Sequence, residues 1–300
     1  MILVTGASGL SGSAVVRESA RQGYPVKALV RNRAKAHSLE TLPGVEIVEG
    51  DMLRAETLGD ALDGVERVLM ISSADQQMLE TQCTFIDAAK KAGIRHIVKF
   101  SGLNSALDSP FLFTQMHAEI ERYLERSGLA WTHLRPSQFM QVYLREVPTI
   151  VAESAFFLPM EDAKLAPVDV EDIAKAAFVL LHAPGHEGKS YDMTGPEALS
   201  MTEIAEQISL AISKTVRYVN ISQAERKRAL LAAGVPPYFA DALDVQGSER
   251  RKGSEAVVHS ETHTALGIRP TTFAEFALRN AAAFREESGR FGVAWGMAQK

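Results

Sequence analysis

Three glycines, each three residues apart, follow a short apolar run at the start of the chain. Residues 6–12 read GASGLSG and come directly after the apolar residues 1–4. Gly6 permits a sharp turn, Gly9 lets backbone approach a phosphate, and Gly12 allows a helix to pack closely on a sheet. A helix that begins here points its free N–H groups at an anion, so the segment predicts a dinucleotide pyrophosphate site. The residues expected to contact the cofactor are Gly6, Ser8, Gly9, Leu10, Ser11 and Gly12.

An arginine stands where a nucleotide-binding chain usually reads the ribose of its cofactor. The second strand-like run ends at Arg31, with Arg33 close by, about 20 residues beyond Gly12. A carboxylate at this position would accept a hydrogen bond from the 2′-hydroxyl of NAD and repel a 2′-phosphate. A guanidinium instead holds a phosphate through two N–H donors, so Arg31 and Arg33 favour NADP, with NADPH preferred over NADH. The alternative for Arg31 is a solvated side chain that opens the next helix.

Polar side chains also follow the next three strand-like runs. Asp51 and Met52 come after the third run and are placed to meet the adenine, although Asp51 could equally cap the helix that follows. Ser72 and Ser73 end the fourth run, and Ser101 ends the fifth. Because the carboxyl ends of parallel strands meet at one edge of a sheet, these hydroxyls can touch the cofactor ribose or nicotinamide. Their alternative role is to cap the following helices.

Strands and helices alternate through the first half of the chain. Apolar strand-like runs occur at 2–5, 26–30, 46–48, 68–72, 97–101 and 130–134. Amphipathic helical patterns at 13–22, 79–92 and 116–126 lie between them. Apolar strands that alternate with helices imply right-handed crossovers and a parallel sheet covered on both faces. The sequence therefore predicts the α/β class, with a doubly wound parallel sheet of the Rossmann type.

The pattern changes after Pro136. Residues 165–168 predict a short strand, and residues 169–182 predict a helix that returns to the first domain. Later helical patterns lie at 201–213, 222–233, 238–246 and 272–284, with a strand-like piece at 216–219. We expect an NADP-binding Rossmann domain over 1–135 plus about 165–183, a smaller, mostly helical substrate domain over 136–164 plus 184–286, and a loose tail over 287–300. A helical cap over the carboxyl edge of the sheet would form one wall of a ligand cleft.

Composition and charge narrow the class of protein. The chain has 300 residues, of which 46% are apolar and 23% charged, and no apolar run approaches the ~20 residues needed to span a bilayer. Its net charge of −5 argues against a chain-wide nucleic-acid surface, and residues 250–252 (RRK) are interpreted as a solvated basic turn. A single cysteine, Cys83, and a strand that begins at the first residue favour a cytoplasmic protein. No metal site, nucleic-acid partner or membrane partner is predicted.

Several motifs together resemble the NmrA-like family, an atypical branch of the short-chain dehydrogenase/reductase superfamily. They are the glycine segment and residues 28–32 (ALVRN), 49–52 (EGDM), 98–101 (VKFS), 131–136 (WTHLRP), 168–174 (VDVEDIA) and 191–197 (YDMTGPE). The family's bacterial enzymes include NAD(P)H-dependent reductases of quinones, triphenylmethane dyes and azo dyes. Other members bind NADP without turnover and act as redox sensors that control transcription factors. The resemblance therefore implies a reductase of such acceptors, with a non-catalytic NADP(H) sensor acting through a protein partner as the alternative.

In this resemblance, the superfamily's Tyr-x-x-x-Lys pair falls on Phe113 and His117. Phe113 cannot donate a proton, which counts against alcohol or ketone chemistry and against a nucleotide-sugar epimerase or dehydratase. His117 could still hydrogen-bond the nicotinamide ribose, as the lysine does in relatives, and it is the candidate catalytic residue. A quinone or cationic dye accepts hydride at a modest barrier, so the protein mainly has to orient the reactants. The implied reaction is NADPH-dependent reduction of a planar small-molecule acceptor without a tyrosine acid.

The residues that follow the sixth strand are placed to face the nicotinamide and the substrate. Pro136 is expected to contact the cofactor. The candidate substrate contacts are Gln138, Phe139, Gln141 and Tyr143. Phe156 and Phe157 could stack on a flat acceptor, although core packing is the favoured interpretation. The sequence leaves the oligomeric state open, a homodimer included.

Overall fold

The computed structural model describes residues 1–286, and the loose tail expected at 287–300 lies outside the described residues. The strands are β1 (Ile2–Val4), β2 (Val26–Val30), β3 (Val45–Glu49), β4 (Arg67–Met70), β5 (His96–Phe100), β6 (Ala130–Pro136), β7 (Ala155–Leu158), β8 (Lys164–Leu165), β9 (Lys189–Met193), β10 (Leu199–Ser200) and β11 (Arg217–Asn220). The helices are α1 (Leu10–Arg21), α2 (His37–Glu40), α3 (Gly59–Leu62), α4 (Met78–Lys91), α5 (Leu112–Arg126), α6 (Val147–Glu153), α7 (Val170–His182), α8 (Met201–Ile212), α9 (Gln223–Ala232), α10 (Pro237–Arg251), α11 (Glu261–Ala265), α12 (Phe273–Arg279) and α13 (Ala281–Phe284). Short 3-10 helical segments cover Arg33–Ala36, Ala55–Thr57 and Met140–Glu146.

A parallel sheet with the strand order β3-β2-β1-β4-β5-β6-β9 forms the centre of the molecule. The chain runs outward from β1 through β2 to β3, then crosses to β4 and builds the other half. Every residue of β2 and β5 is buried, as expected for strands that helices cover on both faces. The predicted doubly wound parallel sheet is confirmed.

Successive residues of each central strand enter cores on opposite sides of the sheet. Val4 and Val98 lie in the core beneath α1 and α7, whereas Leu3 and Ile97 lie in the core beneath α4 and α5. The side chain that follows Val98 therefore points into the layer of α4 and α5, where a lysine is unexpected.

The seventh strand, β9, was missed by the sequence pattern. It pairs in parallel with β6, with Leu134 opposite Tyr191. At the edge of the sheet its first residues, Lys189 and Ser190, are exposed, so the segment lacks the apolar run that marks a central strand. It lies within residues 184–286, which the domain division assigns to the substrate domain; that division stays a prediction.

Other predicted elements are shorter than expected. The strand expected at 165–168 is limited to β8, which pairs with β10, and Val168 instead forms a bridge with Phe139. The helix expected at 272–284 is interrupted at Asn280, which separates α12 from α13.

A third apolar core lies away from the two faces of the sheet. It is built from α6, α8, α12 and α13, and includes the fully buried Phe156 and Phe273. Tyr143 contacts both rings, at centroid distances of 6.4 and 5.3 Å. Core packing is therefore the observed role of Phe156. Among the helices described in residues 1–286, none combines the length and apolar character that crossing a bilayer requires.

Candidate functional site

A cavity of about 1290 Å³ lies at the carboxyl edge of the sheet. The loops that follow β1 to β6 all contribute to its lining, and the 3-10 segment Met140–Glu146 and α10 lie across from them. The cavity includes the point where the strand order reverses between β1 and β4. Doubly wound sheets bind their ligands at this place, because loops from both halves diverge there.

The glycine segment forms the corner between β1 and α1. Gly6 has φ +57°, a left-handed conformation that favours glycine, and its carbonyl accepts a hydrogen bond of 2.9 Å from the Gly9 N–H. Gly9 is the N-cap of α1, and no side chain caps the first turn. The first N–H groups of α1 are therefore available to an anion in the cavity. The cavity is lined here by Gly6, Ser8, Gly9, Leu10, Ser11 and Gly12.

Close contact between α1 and the loop requires glycine at position 12. A Cβ built on Gly12 would lie 2.3 Å from the carbonyl oxygen of Gly6 and 2.9 Å from Cα of Ala7. Neither backbone atom can move away without opening the corner. The cradle for the anion thus depends on the absence of this one side chain.

The two arginines at the end of β2 have different surroundings. Arg31 is exposed and lines the cavity. Arg33 is not among the described lining residues, because its Nε donates to Glu40 at 2.7 Å and its NH1 to the Ile47 carbonyl at 3.3 Å. Lys35, which the sequence analysis did not consider, lines the cavity beside Arg31. The structure thus brings Arg31, but not Arg33, to the cavity.

Asp51 and Met52 line the cavity after β3. Asp51 Oδ1 accepts a 3.0 Å hydrogen bond from the Leu53 N–H, so the carboxylate supports the local turn while it faces the cavity. Ser72 and Ser73 line the cavity at the end of β4, and the Ser72 hydroxyl accepts from Gln82 at 2.9 Å. Asp51 thus caps a turn and not a helix, because Arg54 and Leu58 are the N-caps of the helical segments that follow; its contact with the adenine stays a prediction.

A buried polar cluster lies beneath the part of the cavity that Ser101 and His117 line. Ser101 donates to Glu121 at 2.6 Å, and Arg135 holds the same carboxylate through two hydrogen bonds of 2.9 and 2.6 Å. Lys99 donates to Ser101 at 3.2 Å, and its Nζ lies 2.8 Å from Nδ1 of His117. These hydrogen bonds, above all those from Arg135, keep the pKa of Glu121 below its usual value against the opposing effect of burial.

His117 lines the cavity at the start of α5. Burial and the neighbouring Lys99 charge hold the pKa of His117 well below its usual value, so the ring is neutral at physiological pH. The ring packs against the backbone of Gly102, where a Cβ would lie 3.2 Å from Cδ2 of His117. Ser101, Gly102 and His117 thus meet in one part of the cavity.

Phe113 belongs to an apolar wall. It is 5% exposed, and its ring centroid lies 5.4 Å from that of Phe239 on α10. Phe139 packs against the core on the other side of the sheet, where its ring is in edge contact with Phe100 at a centroid distance of 6.1 Å. The cavity therefore offers aromatic side chains to a flat molecule at the end that includes Phe113.

Three of the four expected substrate contacts line the cavity, and one does not. Gln138, Phe139 and Tyr143 line the cavity together with Pro136, and Gln138 donates to the Tyr143 hydroxyl at 3.0 Å. Burial raises the pKa of Tyr143 well above its usual value, so its hydroxyl stays protonated. Gln141 is not brought to the cavity: its amide donates to Asp169 at 2.7 Å and accepts from the Val170 N–H.

Charged residues of the cap, which the sequence analysis did not assign to the site, line the far end of the cavity. Arg226 pairs with Glu146 at 2.9 Å, and Arg250 holds Glu255 through two hydrogen bonds of 2.9 and 3.1 Å. The Arg250 side chain is 14% exposed, so the interpretation of residues 250–252 as a solvated basic turn was wrong for this residue. Its partner Glu255 is close in sequence, but its position at the cavity depends on tertiary packing.

The lining fits NADP in both shape and charge. The glycine segment leaves the first N–H groups of α1 uncapped and able to bind a pyrophosphate, and Arg31 supplies a cation for a 2′-phosphate. Ser101 and His117 supply hydrogen-bonding groups at the far end of such a molecule, beside the aromatic wall.

Comparisons with known proteins find relatives along almost the whole chain. The model of the NmrA-like family matches residues 1–277. NAD(P)H azoreductase of Xenophilus azovorans is 37% identical over 284 residues, which cover 95% of this chain and 99% of that protein. The NADPH complex of an Escherichia coli NADPH-dependent quinone oxidoreductase has 33% identity and a TM-score of 0.83, with 93% and 99% of the two chains covered. The NADP(H) complex of a Citrobacter sp. triphenylmethane reductase has 25% identity and a TM-score of 0.83, with 94% and 100% covered.

Proposed function

This chain belongs to the NmrA-like family, and from this premise we propose that it is an NADP(H)-dependent oxidoreductase that reduces an electron-poor planar acceptor, such as a quinone or a dye. The observation that carries the proposal is the continuity of the cavity. One space of about 1290 Å³ contains the glycine cradle, Arg31, His117 and the aromatic wall, so a dinucleotide and a flat acceptor can share it.

Each part of the site has a defined task in this reaction. The N–H groups at the start of α1 bind the pyrophosphate, and Arg31 binds the 2′-phosphate that distinguishes NADPH from NADH. Phe113 and Phe239 hold the acceptor ring in a fixed plane, which is the orientation work that such a reaction needs. The bound nicotinamide supplies the hydride.

The apolar residue at position 113 defines the acceptor further. Reduction of a simple ketone to an alcohol needs a proton donor at the developing oxyanion, and Phe113 offers none. An extended electron-poor ring delocalises the charge that it gains with the hydride, so its proton can come from water. The site therefore favours quinones and dyes over simple ketones.

The test is titration with NADPH and NADH, followed by addition of quinones, azo dyes and triphenylmethane dyes while the nicotinamide absorbance is recorded. We expect tighter binding of NADPH and a loss of absorbance that depends on the acceptor. In a Phe239→Ala protein the KM for the acceptor should rise while the affinity for NADPH is retained; Leu210→Ala, an 81% exposed position outside the cavity lining, is the matched control.

If NADPH binds tightly but no acceptor changes the nicotinamide absorbance, the proposal that the protein is a reductase is overturned. That result would favour an NADP(H)-binding sensor, in which the same cavity reports the cofactor to a protein partner.

A further inference from the structure

A fully buried lysine lies beneath the cavity, on the face of β5 that packs against α4 and α5. Lys99 is 0% exposed. Its Nζ lies 2.8 Å from Nδ1 of His117, 3.2 Å from Oγ of Ser101 and 3.5 Å from the carbonyl oxygen of Phe100. An ammonium carries three N–H donors and no acceptor, and here each donor has one partner. Burying a charge is costly unless it is paired and hydrogen-bonded, so this arrangement calls for a reason beyond packing.

Charged and titratable groups face Lys99 from each neighbouring element. On α5 these are Glu121 and His117, on β6 Arg135 and His133, and on α4 Cys83. Burial lowers the pKa of Lys99 to about 7, opposed mainly by the Glu121 carboxylate. Both protonation states of Lys99 are therefore populated near neutral pH.

The protonation state of Lys99 decides the tautomer of His117. A charged ammonium can only donate, so Nδ1 of His117 must accept and the ring proton must lie on Nε2. A neutral amine can also accept, and this constraint on Nδ1 is then lost. Within residues 1–286 no group forms a hydrogen bond to Nε2, and that edge of the ring faces Gly102 and the cavity.

We infer that Lys99 is a positioning residue that fixes His117 as a neutral Nε2–H donor toward an oxygen of the bound ligand. The oxygen belongs either to the nicotinamide half of the cofactor or to the acceptor, both of which the proposed function places at this end of the cavity. The inference rests on that function, but binding of NADPH can be measured without turnover. In both cases His117 would donate to an oxygen. The experiment therefore has to distinguish an oxygen of the cofactor from an oxygen of the substrate that is reduced.

The first experiment compares wild-type protein with Lys99→Met, a substitution of similar length that leaves the Glu121–Arg135 pair in place. For wild type, the dissociation constant of NADPH or the KM for a quinone should rise as pH increases through about 7, because Lys99 loses its proton. The expected change is about two- to fivefold, less than the loss of a whole hydrogen bond, because the released ring still carries its proton on Nε2 for part of the time. Lys99→Met should show the weaker value at every pH, while 2′-phospho-ADP-ribose, which lacks the nicotinamide, binds as before.

The affected quantity identifies the source of the oxygen. A change in NADPH affinity assigns it to the cofactor, and a change confined to the KM for the quinone assigns it to the acceptor. Lys27→Met is the matched control. Lys27 is also buried on a strand, but it donates to the carbonyls of Asp60 and Asp63 and lies outside the cavity lining, so this variant should keep the wild-type pH profile.

Two readouts remain informative if Lys99→Met does not fold. The ring ¹⁵N shifts of His117 should report an Nε2–H tautomer at acid pH. His117→Gln retains an N–H near the position of Nε2 and should bind NADPH and the quinone without the pH dependence of wild type. A pH profile that persists in His117→Gln, or a folded Lys99→Met protein with wild-type values, would overturn the inference.

Discussion

Arg31 and Arg33 lie two residues apart at the end of β2, yet their guanidinium groups have different environments. Arg33 is held by Glu40 and by the Ile47 carbonyl, whereas Arg31 faces the cavity, with Lys35 nearby. A guanidinium already engaged in hydrogen bonds has fewer donors for a phosphate. Cofactor selection should therefore depend on Arg31.

We expect Arg31→Ala to weaken NADPH binding by ~1.5–3 kcal/mol, the range for a hydrogen bond to a charged group. Binding of NADH should change little, because NADH has no 2′-phosphate. Titration of both cofactors measures the difference, and Arg33→Ala is the matched control that should leave both affinities near wild type. Equal losses for NADPH and NADH would contradict the assignment of Arg31.

Spacing predicted which backbone positions reach the carboxyl edge, but not where each side chain goes from there. Gln141 was assigned to the substrate from its position after β6, and its partner, Asp169, is 28 residues away in sequence. Lys99 was part of a recognised motif, but its role depends on His117 and Glu121, which α5 brings to it. Such contacts depend on packing between elements, which a single sequence does not specify.

At the scale of elements, the corner between β1 and α1 was the most predictable part of the molecule. Its turn, its anion cradle and its close packing all depend on seven consecutive residues, so their types and spacing suffice. The strand β9 is the opposite case, since it is defined by pairing with β6 and carries exposed residues at the sheet edge. The Arg250–Glu255 pair likewise acquires its place at the cavity only when α10 packs over the sheet.

The corner can be tested by adding one methyl group. Gly12→Ala would place Cβ 2.3 Å from the Gly6 carbonyl oxygen, so α1 and the loop must separate. Overpacking of this kind costs about 1–3 kcal/mol, and we expect a lower melting temperature together with loss of NADPH affinity.

Gly59→Ala provides the contrasting substitution, because no atom lies within 4 Å of a Cβ built there and Gly59 belongs to α3. It should leave NADPH affinity unchanged and stabilise the protein by about 0.4–1 kcal/mol, since alanine has less freedom in the unfolded chain. If Gly12→Ala behaved like Gly59→Ala in thermal melts and NADPH titrations, the cradle would not depend on close backbone contact.

At the scale of the whole molecule, buried carboxylates connect the C-terminal helices to α7, which packs against the sheet. Asp169 caps α7 and pairs with Arg279 of α12, and Asp172 accepts a 2.6 Å hydrogen bond from the Thr271 N–H. Both carboxylates are at most 1% exposed. The core that contains Tyr143 also contains residues of α12, so these bonds fix that core to α7. They thereby hold the two sides of the cavity in a fixed relative position.

Buried histidines should make the stability of the whole molecule sensitive to acid. His96 is 2% exposed, its Nε2 donates to Thr132 at 2.9 Å, and its Nδ1 has no partner among the described residues. Burial lowers the pKa of His96 from 6.5 to about 4. Between these values the unfolded chain binds a proton that the folded chain does not, so stability falls as pH decreases through this window, by roughly 3 kcal/mol at most.

The matched variant for this effect is His96→Gln, which can still donate to Thr132 but does not titrate. Urea unfolding at several pH values from about 7 down to about 4.5 should give a shallower loss of unfolding free energy for His96→Gln than for wild type, because one of the protons that drive unfolding is removed. Equal slopes would mean that other groups bind the protons, and His133 would be the first to examine, since burial also lowers its pKa. A shallower slope would show that a histidine between β5 and β6, remote from the cavity lining, limits the acid stability of the sheet that carries the site.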